Sequence, residues 1–198
     1  MSKSGRRSQA PTQAQSNPTL RYIVLAGVAV LVVGIIALIW LQSGGSGGSE
    51  GIAGLKNFGK PQGGIHAQGK LSYPNNPPIG GAHNPSWQTC GIYSQPIENE
   101  YAVHSMEHGA AWITYDPALS PDAVSTLKSL VRGRSYSLLS PYPGLPDPIV
   151  ASAWGFQLSV KEASDPRLLQ FITRFANGPQ APEPGSPCTG SQGQPDER

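Results

Sequence analysis

The side chains best suited to chemistry are gathered in one stretch. All four histidines, His66, His83, His104 and His108, lie between positions 66 and 108, together with Met106, the one methionine besides Met1. The densest part is VHSMEHGAAWITY at 103–115, and its chemistry depends on its backbone. As a strand, residues 104–108 turn His104, Met106 and His108 to one face, and two imidazoles with a thioether suit Cu(I). As a helix, His104 and His108 stack one turn apart with Glu107 beside them while Met106 turns away, which suits a borderline ion such as Zn²⁺. The flanks favour the helix: Asn99 is a capping type, Ala102, Met106 and Glu107 are good helix formers, and Gly109 stands where a helix stops. A closed site needs three or four ligands. His83, in the Gly- and Pro-rich GGAHNP loop, is the candidate third ligand after His104 and His108. Glu107, His66 and Met106 are alternative ligands or supports that orient an imidazole. The ion stays open between zinc and copper.

Two rival readings share these residues. HSMEH matches the H-x-x-E-H pattern in which the glutamate of a zinc peptidase is the general base. That mechanism needs a long helix in a large catalytic domain and a further carboxylate ligand, whereas here Gly109 ends the element and a strand follows at once. No G-x-S-x-G, C-x-x-C or phosphate-cradling loop is present, so an enzyme, metal-dependent or otherwise, ranks third. The second reading is an envelope interaction or scaffold module without metal, in which Trp87, Trp112, Trp154 and Tyr142 pack a core or line a groove.

The elements that must hold these residues fall between positions 87 and 177. Ala110–Tyr115 is β-branched and aromatic and ends at Asp116-Pro117, so it reads as a strand. Ser120 caps a helix with Pro121 at its first position and Val124, Leu127, Leu130 and Val131 as its apolar stripe, ending at Gly133. Residues 135–139 and 149–154 read as strands around the turn-rich PYPGLPDP. Asp165 and Pro166 open a last helix through Leu168, Leu169, Ile172 and Phe175, which stops at Asn177-Gly178. The expected fold class is α+β: a small mixed or antiparallel sheet with two or three helices, preceded by one transmembrane helix.

Composition and charge set the surroundings. With 24 Gly and 20 Pro, a coiled coil or all-helical bundle is excluded, and a net charge of +2 provides no field for nucleic acid. The first 42 residues carry Lys3, Arg6, Arg7 and Arg21 and no acid, so the rest of the chain is slightly acidic. Tyr22–Leu41 is an uncharged apolar run of about 30 Å as a helix, the thickness of a bilayer core, with Tyr22 and Trp40 at its ends. It exceeds a signal-peptide core and no A-x-A site follows it. The expected order is a disordered cytoplasmic tail (1–19), a transmembrane helix (20–42), a flexible Gly/Ser linker (43–58), an extracytoplasmic α+β domain (59–190) and a disordered tail (191–198). The partner so implied is the lipid bilayer through 20–42, with no nucleic acid and an unspecified protein partner; the positive charge places the N-terminus in the cytoplasm and the domain outside. Cys90 and Cys188 then face an oxidising compartment, and their disulfide closes a loop of about a hundred residues, worth on the order of 4 kcal/mol in the chain-entropy model.

PPIGGAH before Cys90, CGIYSQPI, VHSMEHGAAWITY, SPYPGL, the SAWG of 152–155, DPRLLQF and PEPGSPC occur in one order over about residues 60–190. Through these motifs the chain resembles the bacterial and archaeal domain-of-unknown-function family 3105. The resemblance implies a protein tethered by an N-terminal span or exported, in a family without an established enzymatic activity. Its short histidine motif maps onto His104, Glu107, His108 and Gly109, and its glycine-histidine loop onto His83. GGAH stands where SGPH is more typical, and Met106 where Leu is more common, which argues against a thioether ligand shared by the family.

Overall fold

The computed structural model describes Gly34 and residues 51–198. The expected cytoplasmic tail, membrane span and first half of the linker lie outside the described residues, Gly34 apart. Among the described residues no helix is long and apolar enough to cross a membrane.

Six strands form one mixed sheet: β1 (Lys56–Asn57), β2 (Gly91–Ile92), β3 (Ala111–Tyr115), β4 (Ser137–Pro141), β5 (Ile149–Ala153) and β6 (Phe156–Val160), in the spatial order β1-β6-β5-β3-β4-β2. Three helices complete the α+β fold: α1 (Asn99–Glu107), α2 (Pro121–Val131) and α3 (Pro166–Phe175). β3 and β4 are parallel, joined through α2, and β2 joins β4 in parallel as well. β5, β6 and β1 continue the other side in antiparallel pairs.

Alternation along the strands divides the core in two. Ala111 and Ile113 of β3 and Leu139 of β4 face Leu127 and Val131 of α2 and Leu168, Phe171, Ile172 and Phe175 of α3. Trp112 and Leu138, one residue out of phase, face Ala102, Val103 and Met106 of α1. So α1 and its histidines sit alone on one face of the sheet, pinned by a buried stripe whose large side chains each contribute about 1.5–3 kcal/mol. Trp112 Nε1 donates to Ser140 Oγ at 3.0 Å beneath it.

Several local readings change in the structure. Glu98, not Asn99, is the N-cap of α1, and it makes no side-chain cap bond, while the Asn99 amide donates to the Tyr142 hydroxyl at 3.1 Å. In α3 the buried stripe uses Phe171, while Leu169 is 41% exposed, since positions 168, 171, 172 and 175 share a face and 169 does not. β6 follows β5 after Trp154-Gly155, where Gly155 takes φ +76° with its α-carbon close against the Gly59 carbonyl. Ile52, assigned to the linker, is buried in the core and Lys56–Asn57 pair with β6, so the compact unit Gly51–Arg198 includes residues read as linker. The stretch 191–198, read as a disordered tail, lies along the outer edge of β2: Ile92 exchanges backbone hydrogen bonds with Glu197, and the Glu197 carboxylate takes Lys128 Nζ at 3.0 Å and the Arg132 guanidinium. Two cations four residues apart, Lys128 in α2 and Arg132 at its C-terminal cap, hold what composition alone marks as loose.

Candidate metal centre

Residues 103–108 are helical to Glu107, and Gly109 ends the element at φ +106°, a conformation that favours glycine. The helix therefore buries Met106 completely among Trp112 and Leu138 and turns it away from the histidines. A thioether has no place in the cluster.

Two loop segments meet beside α1. Ile65–Ala67 and His83 pair as a short parallel bridge, with Ala67 N donating to His83 O at 2.8 Å and His83 N to Ile65 O at 3.0 Å. This register sets the His66 and His83 rings 5.0 Å apart. Asn84 locks the same loop to the helix, its N–H on Glu100 O at 3.2 Å and its carbonyl on His104 Nδ1 at 2.7 Å. One ligand atom each from His66, His83, His104 and Glu107 lies within 4.8 Å of the others. A formed site of a first-row ion holds its ligand atoms within about 4 Å of each other, so closure by less than about 1 Å completes it. His83, His104, Glu107 and His108 are 0–5% exposed, and His66 closes the cluster from the surface.

The hydrogen bonds fix the imidazole tautomers. Nδ1 of His83 faces the Gly81 carbonyl at 2.7 Å, that of His104 the Asn84 carbonyl at 2.7 Å, and that of His108 the Pro187 carbonyl at 2.6 Å. A carbonyl only accepts, so each Nδ1 carries a hydrogen, and in the neutral ring each Nε2 presents a lone pair, the arrangement that metal-ligating histidines use. Nε2 of His104 and His108 approach to 3.0 Å. Two lone pairs at that distance repel unless a proton or a cation joins them. Burial, first of all, pushes the His104 pKa down to about 4; its bond to Asn84 opposes that, while His108 and His83 add to it. His104 thus disfavours a proton near neutral pH, and a cation is the alternative occupant.

Glu107 presents the same problem from the other side. Its Oε1 accepts the Gly64 N–H at 2.6 Å, while Oε2 lies 2.9 Å from His83 Nε2 outside hydrogen-bond alignment. His83 Nε2 is left buried without a hydrogen-bond partner. A carboxylate at 1% exposure facing an imidazole lone pair is costly without a positive charge between them.

Of the residues singled out in the sequence, His83, His104 and Glu107 come together, and His66 joins them more closely than its loose setting suggests. His108 touches the cluster through His104 and lies 3.8 Å from Glu183. Sequence reasoning missed the carbonyls of Gly81, Asn84 and Pro187, together with Gly64 and Glu183. One signal was there to find: Gly63-Gly64-Ile65-His66 and Gly80-Gly81-Ala82-His83 share the pattern G-G-x-H, and these two copies form the bridge that pairs His66 with His83. Cys90 and Cys188 stand at disulfide distance, with α-carbons 5.3 Å apart, and fasten the segment that carries Pro187.

Residues 65–190 match the family model described as Protein of unknown function (DUF3105). The chain belongs to this family. Every residue of the cluster, the cysteine pair and Glu183 fall inside the DUF3105 region. No curated protein and no solved structure matches the chain.

Proposed function

We propose that this DUF3105 protein is a single-pass, membrane-anchored domain facing out of the cytoplasm that binds one transition-metal ion through His83, His104 and Glu107, with His66 completing the set from the surface. The observation that carries the reading is the electrostatic mismatch of the cluster: buried imidazoles whose Nδ1 atoms all donate to carbonyls, so that their lone pairs face one another and a buried carboxylate. A cation of nitrogen and oxygen preference held by His83, His104 and Glu107 resolves the conflict between those lone pairs and the buried carboxylate. Imidazole with carboxylate, and no thiolate or thioether, suits Zn²⁺ or Cu²⁺ better than Cu(I). The anchored, outward placement is supported by the apolar run 22–41 with positive charge on its N-terminal side, and by a cysteine pair at disulfide distance.

The test is elemental analysis and native mass spectrometry of the full chain purified in detergent from zinc- and copper-supplemented cultures. Close to one equivalent of metal is expected, lost in the His83→Ala, His104→Ala double variant. Metal-free protein from both cultures rejects the reading.

A further inference from the structure

Beside the metal centre, the strap of residues 178–190 forms neither helix nor strand, yet it supports the cluster at several points. Its Pro187 carbonyl orients His108, its Glu183 N–H donates to the Glu107 carbonyl at 3.0 Å, and Pro182 packs on Gly63, next to the Gly64 N–H that holds the Glu107 carboxylate. Its other fastenings are hydrogen bonds: Gln180 Nε2 donates to Phe175 O at 2.7 Å, Tyr136 donates its hydroxyl to Ser186 O at 3.0 Å, Trp87 Nε1 donates to Thr189 O at 3.2 Å, and just past the strap Thr89 N donates to Gln192 O at 2.8 Å. The covalent fastening is Cys188, bridged to Cys90 and accepting the Cys90 N–H at 2.6 Å.

Both cysteines also line a cavity of about 400 Å³ with Tyr136, Pro187, Arg134 and Arg198. Arg134 Nε bonds only the Leu130 carbonyl, and among the described residues neither arginine forms a salt bridge. The cavity therefore offers a small-molecule volume lined by both cysteines, each only 6–7% exposed, and two guanidinium groups outside any salt bridge among the described residues. That is the chemistry that recognises an anionic thiol.

We propose that this cavity is a thiol–disulfide exchange site for a small anionic thiol, and that opening the Cys90–Cys188 bridge there loosens the metal centre. The coupling rests on the metal-binding reading above. In the exchange, the thiolate of the small thiol attacks one cysteine sulfur, the Cys90–Cys188 bond breaks, and a mixed disulfide forms as the other cysteine leaves as a thiolate. A second thiol molecule attacks the mixed disulfide and releases the remaining cysteine. Two thiols are oxidised to one disulfide, and their two protons pass to the cysteine pair. The strap then keeps only its hydrogen bonds, and Pro187 and Glu183 lose their fixed positions beside His108 and Glu107.

The experiment uses the full chain in detergent with glutathione as the anionic probe and cysteamine as the cationic one, compared at equal thiolate concentration. Mass spectrometry of the mixed disulfide is expected to show glutathione reacting about tenfold faster, with the difference abolished by Arg134→Glu. Equal rates, or a bridge that opens only in denaturant, overturn the exchange site. Zinc affinity is then measured on oxidised protein and on reduced protein whose thiols have been alkylated, so that they cannot bind the ion. A loss of about tenfold is expected, because the strap supports the ligand Glu107 through its backbone carbonyl and through Gly63-Gly64; equal affinity overturns the coupling. Should the oxidised chain hold no zinc, the metal reading fails separately, and amide exchange still decides the rest. Faster exchange at Glu183 and Ser186 on reduction upholds the loosening of the strap, and unchanged exchange overturns it.

Discussion

Replacing Glu107 by glutamine separates a side chain kept for folding from one kept for a ligand, because the two roles predict changes of opposite sign. The side chain is 1% exposed, and its Oε1 accepts the Gly64 N–H while Oε2 faces the unpartnered Nε2 of His83 at 2.9 Å. Glutamine keeps the shape: its amide oxygen can still accept from Gly64, and its NH₂ can donate to the His83 lone pair. The change removes an unmatched buried charge and creates a hydrogen bond, a gain of about 1–3 kcal/mol for the metal-free protein. In a domain of about 150 residues this raises Tm by roughly 2–10 °C. The same substitution deletes the negative ligand, so metal affinity should fall by at least about 100-fold, or roughly 2.7 kcal/mol. Differential scanning calorimetry on chelator-treated full chain gives the first number, and competition with a chromophoric chelator gives the second. A Glu107→Gln protein that melts lower than the parent yet binds zinc as well refutes the reasoning, because Glu107 would then be a structural acceptor and nothing more.

Substitutions at three further positions probe the frame around the site. Met106 is fully buried against Trp112 and Leu138, so Met106→Leu should change stability by less than about 1.5 kcal/mol and leave metal binding intact, whereas Met106→Ala should cost about 2–5 kcal/mol in urea unfolding. Gly109 sits at φ +106° with its α-carbon close enough that a Cβ would stand 3.0 Å from the Asn177 α-carbon, so Gly109→Ala should cost about 1–3 kcal/mol by the same assay. Asp165 caps α3 by accepting the Arg167 N–H at 2.9 Å, and Asp165→Ala should cost about 1 kcal/mol. Its hydrogen bonds with the Arg167 side chain, above all, hold its pKa below the ordinary 3.8. The folded value being the lower one, this contribution is fully present above the unfolded pKa and is lost as pH falls through the folded pKa. The difference in Tm between parent and variant should therefore shrink below about pH 4 and stay constant above it.

The frame was legible where local rules decide it. Ser120-Pro121 and Asp165-Pro166 mark helix starts by capping chemistry alone, and Ser120 Oγ and Asp165 Oδ1 do accept the expected backbone N–H groups. Gly109 and the strand behind it were readable for the same reason. What the chain does over long distances was not. Ile52 and Glu197 take their places through partners far along the chain, Ile52 in the core and Glu197 on Lys128 and Arg132, and no window of neighbouring residues carries that information. At the site, residue type marked His83, His104 and Glu107, since imidazole and carboxylate chemistry is intrinsic to the side chain. The geometry came from backbone carbonyls at Gly81, Asn84 and Pro187, which every residue type possesses and no composition can flag. His66 needed the paired G-G-x-H segments to be seen as partners in a bridge, a relation between two loops that turn propensities treat one at a time.

The most direct measurement is anomalous diffraction from crystals of the full chain grown with zinc and with copper. A single strong peak about 2.0–2.2 Å from His83 Nε2, the His104 ring nitrogen and a Glu107 oxygen is the predicted result. Crystals without a peak there, in which the His83 Nε2 and Glu107 Oε2 atoms keep their 2.9 Å separation across empty density, would contradict the claim that this cluster exists to hold a cation.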